Sequence, residues 1–309
     1  MNLNQSIRDV ARRIPPGKSL DFLARGFSYA LFYKGHLRER GIEQHKMMII
    51  ATIARSGTHY AMLLLTNYVA ALASRKLPIG PSEMNIMLPN NWHLNYMSYH
   101  KLPFGPMIAS PPKPPNGDIA YLRLDEITRS HSLFQKVYWR HHKVLHLYRN
   151  PLDYSVSLYN YKHKKRPDLP DRCESPEEVL ELKFENYCQM YESYTRASSD
   201  GRYSVLRIAY ESLIFEPHFW LRSIVEWLGC EVDGPALEEA VAASTIKNVK
   251  QAENLGGKVN PEALGLRGSF ISSGQVGQWR EHYTDRQFLF WKDKFLARGI
   301  DIEAMILEG

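Results

Sequence analysis

This sequence predicts a three-layer α/β fold: a central parallel sheet between helices, with a helical extension at the N-terminus. Three observations carry that expectation. Short apolar runs of strand length alternate with longer segments of helical period, the pattern of a parallel sheet covered on both faces. Two of those runs stop abruptly in arginine-bearing turns, Ala54-Arg55-Ser56-Gly57-Thr58 and Arg149-Asn150-Pro151, and a helical pattern follows each turn directly. Finally, 309 residues of which 44% are apolar can bury a core that needs neither disulfides nor a structural metal.

The elements follow in chain order. Residues 1–45 read as a helical extension of the 46–309 α/β domain. Ile7, Val10, Ala11 and Ile14 share one helical face, and Leu20, Phe22, Leu23, Phe27, Ala30 and Leu31 make another beyond the N-cap candidate Ser19. Such helices usually pack on the main domain. Their basic sides, with Arg8, Arg12, Arg13 and Lys18, also suit peripheral membrane contact through residues 1–45. Met47 to Ile53 is a buried strand, and a helix runs from about His59 to Ser74 with Leu63, Leu64, Tyr68 and Leu72 facing inward. Residues 78–118 lack a period and read as an irregular excursion, whose Trp92, Tyr96, Tyr99 and Phe104 suit an acceptor wall or a satellite core. Strands are expected at Ile119–Leu124, Val144–Tyr148 and Tyr203–Ile208. Helices are expected from Pro151 to about Tyr161, over 177–197, from Pro217 to Leu228 where Gly229 stops it, and over about 284–298. The Gly-rich stretch 252–280 reads as a loop closing over a site.

Charge narrows the partners without choosing one. The formal net charge of +6 favours anionic ligands, among them phosphorylated cofactors, acidic glycans, lipid headgroups and nucleic acid. Cys173, Cys188 and Cys230 are widely spaced with no C-x-x-C pair, which points to a reducing, cytoplasmic setting and away from a zinc site. Pro15 and Pro16 precede any apolar h-region, so the N-terminus does not read as a secretory signal. The longest apolar segment, Tyr60–Ala73, carries Thr66 and Asn67 and is shorter than the roughly 18–20 residues of a membrane span.

The turn after the first strand carries the strongest local chemistry. Backbone N–H groups at the start of the following helix are unpaired and sit at the positive end of its dipole, so they can cradle a phosphate or sulfate. Arg55 adds a full charge, Gly57 allows close backbone approach, and Ser56 and Thr58 supply hydroxyls. The second signal is the Val144–Tyr159 segment. Its strand ends in Arg149, where a Walker B strand would end in an acidic Mg²⁺ ligand, and Ser157 follows two helical turns later, placed to face the same anion. Gly17-Lys18-Ser19 imitates the end of a Walker A loop, but Arg12 stands where that pattern needs Gly and no buried strand precedes it. Lys162-His163-Lys164-Lys165-Arg166 reads as a solvated helix end or a guide for anions.

Together these segments resemble the sulfotransferases that use 3′-phosphoadenosine 5′-phosphosulfate, PAPS. Arg55 to His59 is similar to the family's P-K-S-G-T-T loop for the 5′-phosphosulfate, with Arg for Lys and Ala54 for Pro. Arg149 to Tyr159 matches its R-N-P-x-D-x-x-V-S-x-Y segment, which binds the 3′-phosphate. The resemblance implies a P-loop, nucleotide-kinase-like fold, PAPS as co-substrate and PAP as product, and no metal. It further implies a hydroxyl-bearing acceptor (carbohydrate, lipid or other alcohol) and no nucleic acid. It assigns Arg55, Ser56, Gly57, Thr58, His59 and Tyr60 to the 5′ end, Arg149 and Ser157 to the 3′-phosphate, and Tyr210 of the Y-E-D-L-like Tyr210–Leu213 to the adenine. Thr245-Ile246-Lys247 sits where the family has another adenosine contact. Phe270 to Arg280 resembles the F-x-R-K-G-x-x-G-x-W-[KR] closing loop and brings Ser272, Ser273 and Gly274 to the cofactor. Ser272-Ser273 replaces the family's Arg-Lys pair, and Arg267 lies just upstream. For the base, Arg129-Ser130-His131 resembles the strand-end K-[ST]-H, which selects His131, with His100 of Ser98–Pro103 as the second candidate. A P-loop-like kinase and a non-catalytic PAP-binding module are the alternatives. The first lacks its lysine and acidic metal ligand, and the second would bind PAP without turnover.

Overall fold

The computed structural model describes residues 46–80, 84, 119–134, 136, 139–165, 173–255 and 274–307. The 1–45 extension, most of the excursion with His100 and its four aromatics, and Arg267, Ser272 and Ser273 lie outside the described residues.

Four parallel strands form the sheet: β1 (Met47–Thr52), β2 (Glu126–Ser130), β3 (Lys143–Tyr148) and β4 (Ser204–Ala209), in the order β2-β1-β3-β4. All six residues of β1 are buried, as expected of a central strand with both faces covered. Side chains alternate between the faces. Met48 and Ile50 enter a core shared with α1 (Thr58–Leu72), α5 (Pro217–Trp227) and α6 (Gly234–Ala243). Met47, Ile49 and Ala51 enter the other, with α2 (Pro151–Asn160), α3 (Pro176–Ser198) and α8 (Asp285–Leu296). The remaining helices are α4 (Tyr210–Phe215), α7 (Ile246–Leu255) and α9 (Ala304–Leu307).

Local chemistry sets the helix starts. Asn150 caps α2 by accepting from Leu152 N, with Pro151 in the first turn, and Thr284 and Gln287 form a reciprocal capping box on α8. Inside α1, buried Asn67 donates to Ser244 Oγ at 2.9 Å and accepts from Ile79 N at 2.8 Å. Those bonds tie the helix to the end of α6 and satisfy a polar group that would be costly to bury alone.

Ile119–Leu124 is not a strand. Ile119–Leu122 forms a 3₁₀ turn, and the strand sits downstream at Glu126–Ser130. Ile119 and Leu122 are buried while Ala120 and Tyr121 between them are exposed, a period of three that a strand cannot satisfy. Arg123 then takes φ of 55°, and the ladder with β1 opens at Met47 opposite Glu126. The other strands and the helices after residues 150, 175, 216 and 284 lie within two residues of the sequence expectation, whereas α4, α6 and α7 were not anticipated.

Register positions the site. Ala51 pairs with Ser130, Thr52 with Leu147, and Tyr148 with Ala209, so all four strands end along one edge. The chain leaves β1 toward β2 on one side and returns to β3 on the other, which makes the β1/β3 boundary the topological switch point where such sheets bind ligands. Arg55 and Arg149 emerge from those two strand ends. Among the described residues, no helix is long and apolar enough to cross a membrane.

Candidate active site

The β1–α1 turn has the backbone of an anion cradle. Ser56 N donates to Ile53 O at 3.1 Å, while Arg55 and Gly57 take φ of 68° and 84°, a region that favours glycine. A Cβ on Gly57 would lie 2.2 Å from Tyr210 Cδ2, so no larger residue fits this ring. Ser56 is fully buried and its Oγ makes no hydrogen bond. Arg55 stacks over Tyr161 at 4.7 Å and its Nε reaches Ser157 Oγ at 3.4 Å. Burial, together with the like charge of Arg149, lowers its pKa from the usual arginine range, against the opposing influence of Tyr161.

Arg149 is held from several sides. Its guanidinium lies 4.6 Å over the Tyr210 ring and donates to Gln275 O at 2.8 Å. Its carboxylate neighbours are Asp153 and Glu211, each at 3.8 Å, and its buried Nε makes no hydrogen bond. Tyr210 in turn donates from its hydroxyl to Gly274 O at 3.2 Å. Gly274 has φ of 68°, and a Cβ there would meet Ile246 Cδ1 at 2.3 Å. Asp153 ties down the closing segment: its carboxylate accepts from Gly277 N at 2.6 Å and Trp279 N at 3.0 Å. Ser56 Oγ, buried without a hydrogen bond, and the guanidinium groups of Arg55 and Arg149 therefore stand at neighbouring strand ends. That donor set fits a ligand carrying two separate anionic groups, as PAP and PAPS do.

His131 follows β2. Its Nδ1 lies 2.9 Å from the Thr52 carbonyl and 2.8 Å from Thr52 Oγ1, and Thr52 Oγ1 bonds Thr58 Oγ1 at 2.9 Å. A carbonyl only accepts, so that contact favours the proton on Nδ1 and the basic lone pair on Nε2, whereas the Thr52 hydroxyl can serve either tautomer. Burial and nearby Arg129 lower the His131 pKa below 6.5, opposed by the bond to Thr52. Arg129, brought down to about 10 by burial, has Nη1 3.2 Å from His59 Nε2. Tyr60 packs against the α1 core and its phenol is pushed up to about 12 by burial and by Tyr210.

The sequence-predicted residues Arg55, Ser56, Gly57, Thr58, Arg149, Ser157, Tyr210 and Gly274 are thus gathered at one sheet edge, with His131 linked to them through Thr52. Sequence reasoning assigned no role to Thr52, Asp153 or Glu211. Asp153 stood inside the Arg149–Tyr159 motif and Glu211 beside Tyr210, which was the available signal. Glu211 Oε1 accepts from Asn150 N at 3.0 Å, and burial raises its pKa to about 7 against the pull of Arg149. A carboxyl raised in the folded state holds its proton more tightly there than when unfolded, so it favours the fold at low pH, and this contribution is lost between about pH 4.5 and 7. Glu211→Gln, which keeps the acceptor oxygen, should therefore melt above the wild type at pH 8, with the advantage vanishing near pH 4. The full difference is on the order of 3 kcal/mol. Parallel melting curves across pH would check this.

A parallel sheet with arginine-bearing turns at its switch point and a histidine at the adjoining strand end is a P-loop-like α/β arrangement whose donors face anionic ligands. Comparison gives the family: the Sulfotransferase domain family matches residues 45–296, and the chain belongs to it. The chain is 26% identical over 273 residues to cytosolic sulfotransferase 7 of Arabidopsis thaliana, covering 80% of this chain and 77% of that protein. With cytosolic sulfotransferase 12 of the same plant it shares 25% over 255 residues, covering 77% and 72%. The fold matches retinol dehydratase in complex with androsterone and the inactive cofactor PAP, with a TM-score of 0.59 at 15% identity over 83% of this chain and 81% of that one. It also matches a mouse sulfotransferase complexed with PAP, with a TM-score of 0.57 at 16% identity over 89% and 91%.

Proposed function

We propose that this protein moves a sulfuryl group from PAPS to the hydroxyl of a small-molecule, carbohydrate or lipid acceptor in the cytoplasm. The unit responsible is the 46–309 domain, to which residues 1–45 form an extension. One observation carries the reading of the site: the Tyr210 ring bridges the two arginine turns, lying under the Arg149 guanidinium at 4.6 Å and against Gly57 of the Arg55 turn, so both donor sets stand at adjacent strand ends within reach of one ligand that carries two anionic groups.

When bound, PAPS supplies an activated sulfuryl group, whose passage to an acceptor oxygen leaves PAP. In this reading Arg55, the hydroxyls of Ser56 and Thr58 and the amides running from Gly57 through His59 to Tyr60 hold the 5′ end and stabilise negative charge there. Arg149 and Ser157 hold the 3′-phosphate. Tyr210 flanks the adenosine, and the closing-loop motif assigns Ser272, Ser273 and Gly274 to the same cofactor. His131 takes the acceptor proton on Nε2 in the tautomer whose Nδ1 donates to the Thr52 carbonyl. The relatives named cytosolic sulfotransferases and the three free cysteines support the cytoplasmic setting.

Thermal shift tests the donor assignment. PAP should raise the melting temperature well above the shift given by adenosine 5′-phosphate at equal concentration, because only PAP carries the group assigned to Arg149. Equal shifts, or a larger one with ATP and Mg²⁺, would overturn the reading. An acceptor screen with labelled PAPS then identifies the hydroxyl compound.

A further inference from the structure

The donor loop and the base are joined by an unbroken chain of hydrogen-bonding atoms. Thr58 Oγ1 lies 2.9 Å from Thr52 Oγ1, which lies 2.8 Å from His131 Nδ1, and that nitrogen is 2.9 Å from the Thr52 carbonyl. Thr52 is fully buried and Thr58 nearly so, at 0% and 7% exposure. Resting on the function proposed above, we infer that Thr52 is a positioning residue, which relays the presence of an anion in the donor loop to the tautomer of His131.

Nδ1 faces two Thr52 groups with different demands: the carbonyl requires an N–H, whereas the hydroxyl can either accept from Nδ1 or donate to it. If Thr58 donates to Thr52, the Thr52 proton is free to turn toward Nδ1. The imidazole then carries its proton on Nε2, the wrong nitrogen for a base. An anion in the loop accepts the Thr58 hydroxyl proton instead. Thr58 Oγ1 then accepts from Thr52, and Thr52 Oγ1 and the carbonyl both accept from Nδ1–H. Every bond in the row now points toward the anion, and the lone pair is on Nε2. The change is neutral overall: Nε2 gives its proton to water and Nδ1 takes one from water. The two threonines thereby arm the base when the donor is in place, so that the acceptor is deprotonated only in a loaded site.

The experiment uses ¹⁵N-imidazole-labelled protein with PAP as the probe, the His131 resonances being assigned by their loss in His131→Asn. Saturating PAP should move the two His131 nitrogens of the wild type, and of Thr52→Ser, toward the Nδ1–H pattern. Thr52→Val keeps the size and the carbonyl but lacks the hydroxyl. It should bind PAP within about threefold of the wild type, show no such movement, and lose about tenfold to a hundredfold in kcat, the scale of one hydrogen bond to a group that becomes charged. Thr58→Ala, compared at PAP saturation, breaks the same row at its other end and should give the same silent spectrum, so the test stands even where Thr52→Val fails to fold. A normal His131 response to PAP in either variant overturns the relay and leaves the PAPS reading intact. Failure of PAP to bind the wild type overturns both.

Discussion

Replacing His131 with Ala is expected to lower turnover by about 10²–10⁴-fold while PAP affinity stays within about twofold. The two readouts separate because the imidazole acts on the acceptor hydroxyl, whereas the donor is held by groups at the other strand ends. His131 reaches its place through backbone alone: β2 pairs with β1 up to Ala51 opposite Ser130, which puts the next residue beside the end of β1. Its contact to the Thr52 carbonyl orients the ring, and burial keeps it neutral below the usual histidine range. The acid limb of the kcat/KM profile should accordingly fall at a pH below 6.5, because the free enzyme must be acidified further before the base is protonated. Steady-state kinetics with the identified acceptor, beside calorimetry with PAP, measure both effects. His100→Ala is the control: it belongs to the excursion assigned to the acceptor, so it should change acceptor KM more than kcat. Turnover that survives in His131→Ala and is lost in His100→Ala would move the base to the excursion.

How far the sequence revealed this site depended on the range of each interaction. The strand-loop-helix after Met47 was legible because each of its signals is local: six apolar residues, a turn that demands glycine, then a helical period. The second strand was misplaced because Ile119 and Leu122 are apolar for a different reason. They pack a 3₁₀ turn against α1, and a run of five or six apolar residues does not distinguish that from a buried strand. Tyr210 was named for its motif, but nothing local placed its ring on Gly57 and its hydroxyl on Gly274. Those contacts join segments 153 and 64 residues apart, and only the sheet order brings them together. Thr52 was invisible for the same reason. A threonine closing a strand is ordinary, and its meaning comes from His131, 79 residues on.

Arg149→Ala should weaken PAP binding by about tenfold to a hundredfold, the cost of one charge-assisted contact, and should bring PAP down to the affinity of adenosine 5′-phosphate, which is left almost unchanged. The second half is the more discriminating, since general damage to the site would weaken both nucleotides alike. Stability should fall as well, because Arg149 is the buried cation between Asp153 and Glu211, and removing one partner of a buried set leaves the others uncompensated. The two consequences can be taken apart. Glu211 already titrates at about 7 with Arg149 beside it; without that charge its pKa rises further and it folds protonated, so much of the lost stability should return on acidification. Adding Glu211→Gln to Arg149→Ala should restore melting temperature at pH 8 without restoring the preference for PAP. Asp153 still holds Gly277 and Trp279 through their amides, so the closing segment stays anchored, and the missing preference reports the arginine itself. If the double variant regains discrimination between PAP and adenosine 5′-phosphate, the 3′-phosphate is held elsewhere, and Arg149 serves only to neutralise the two acids beneath it.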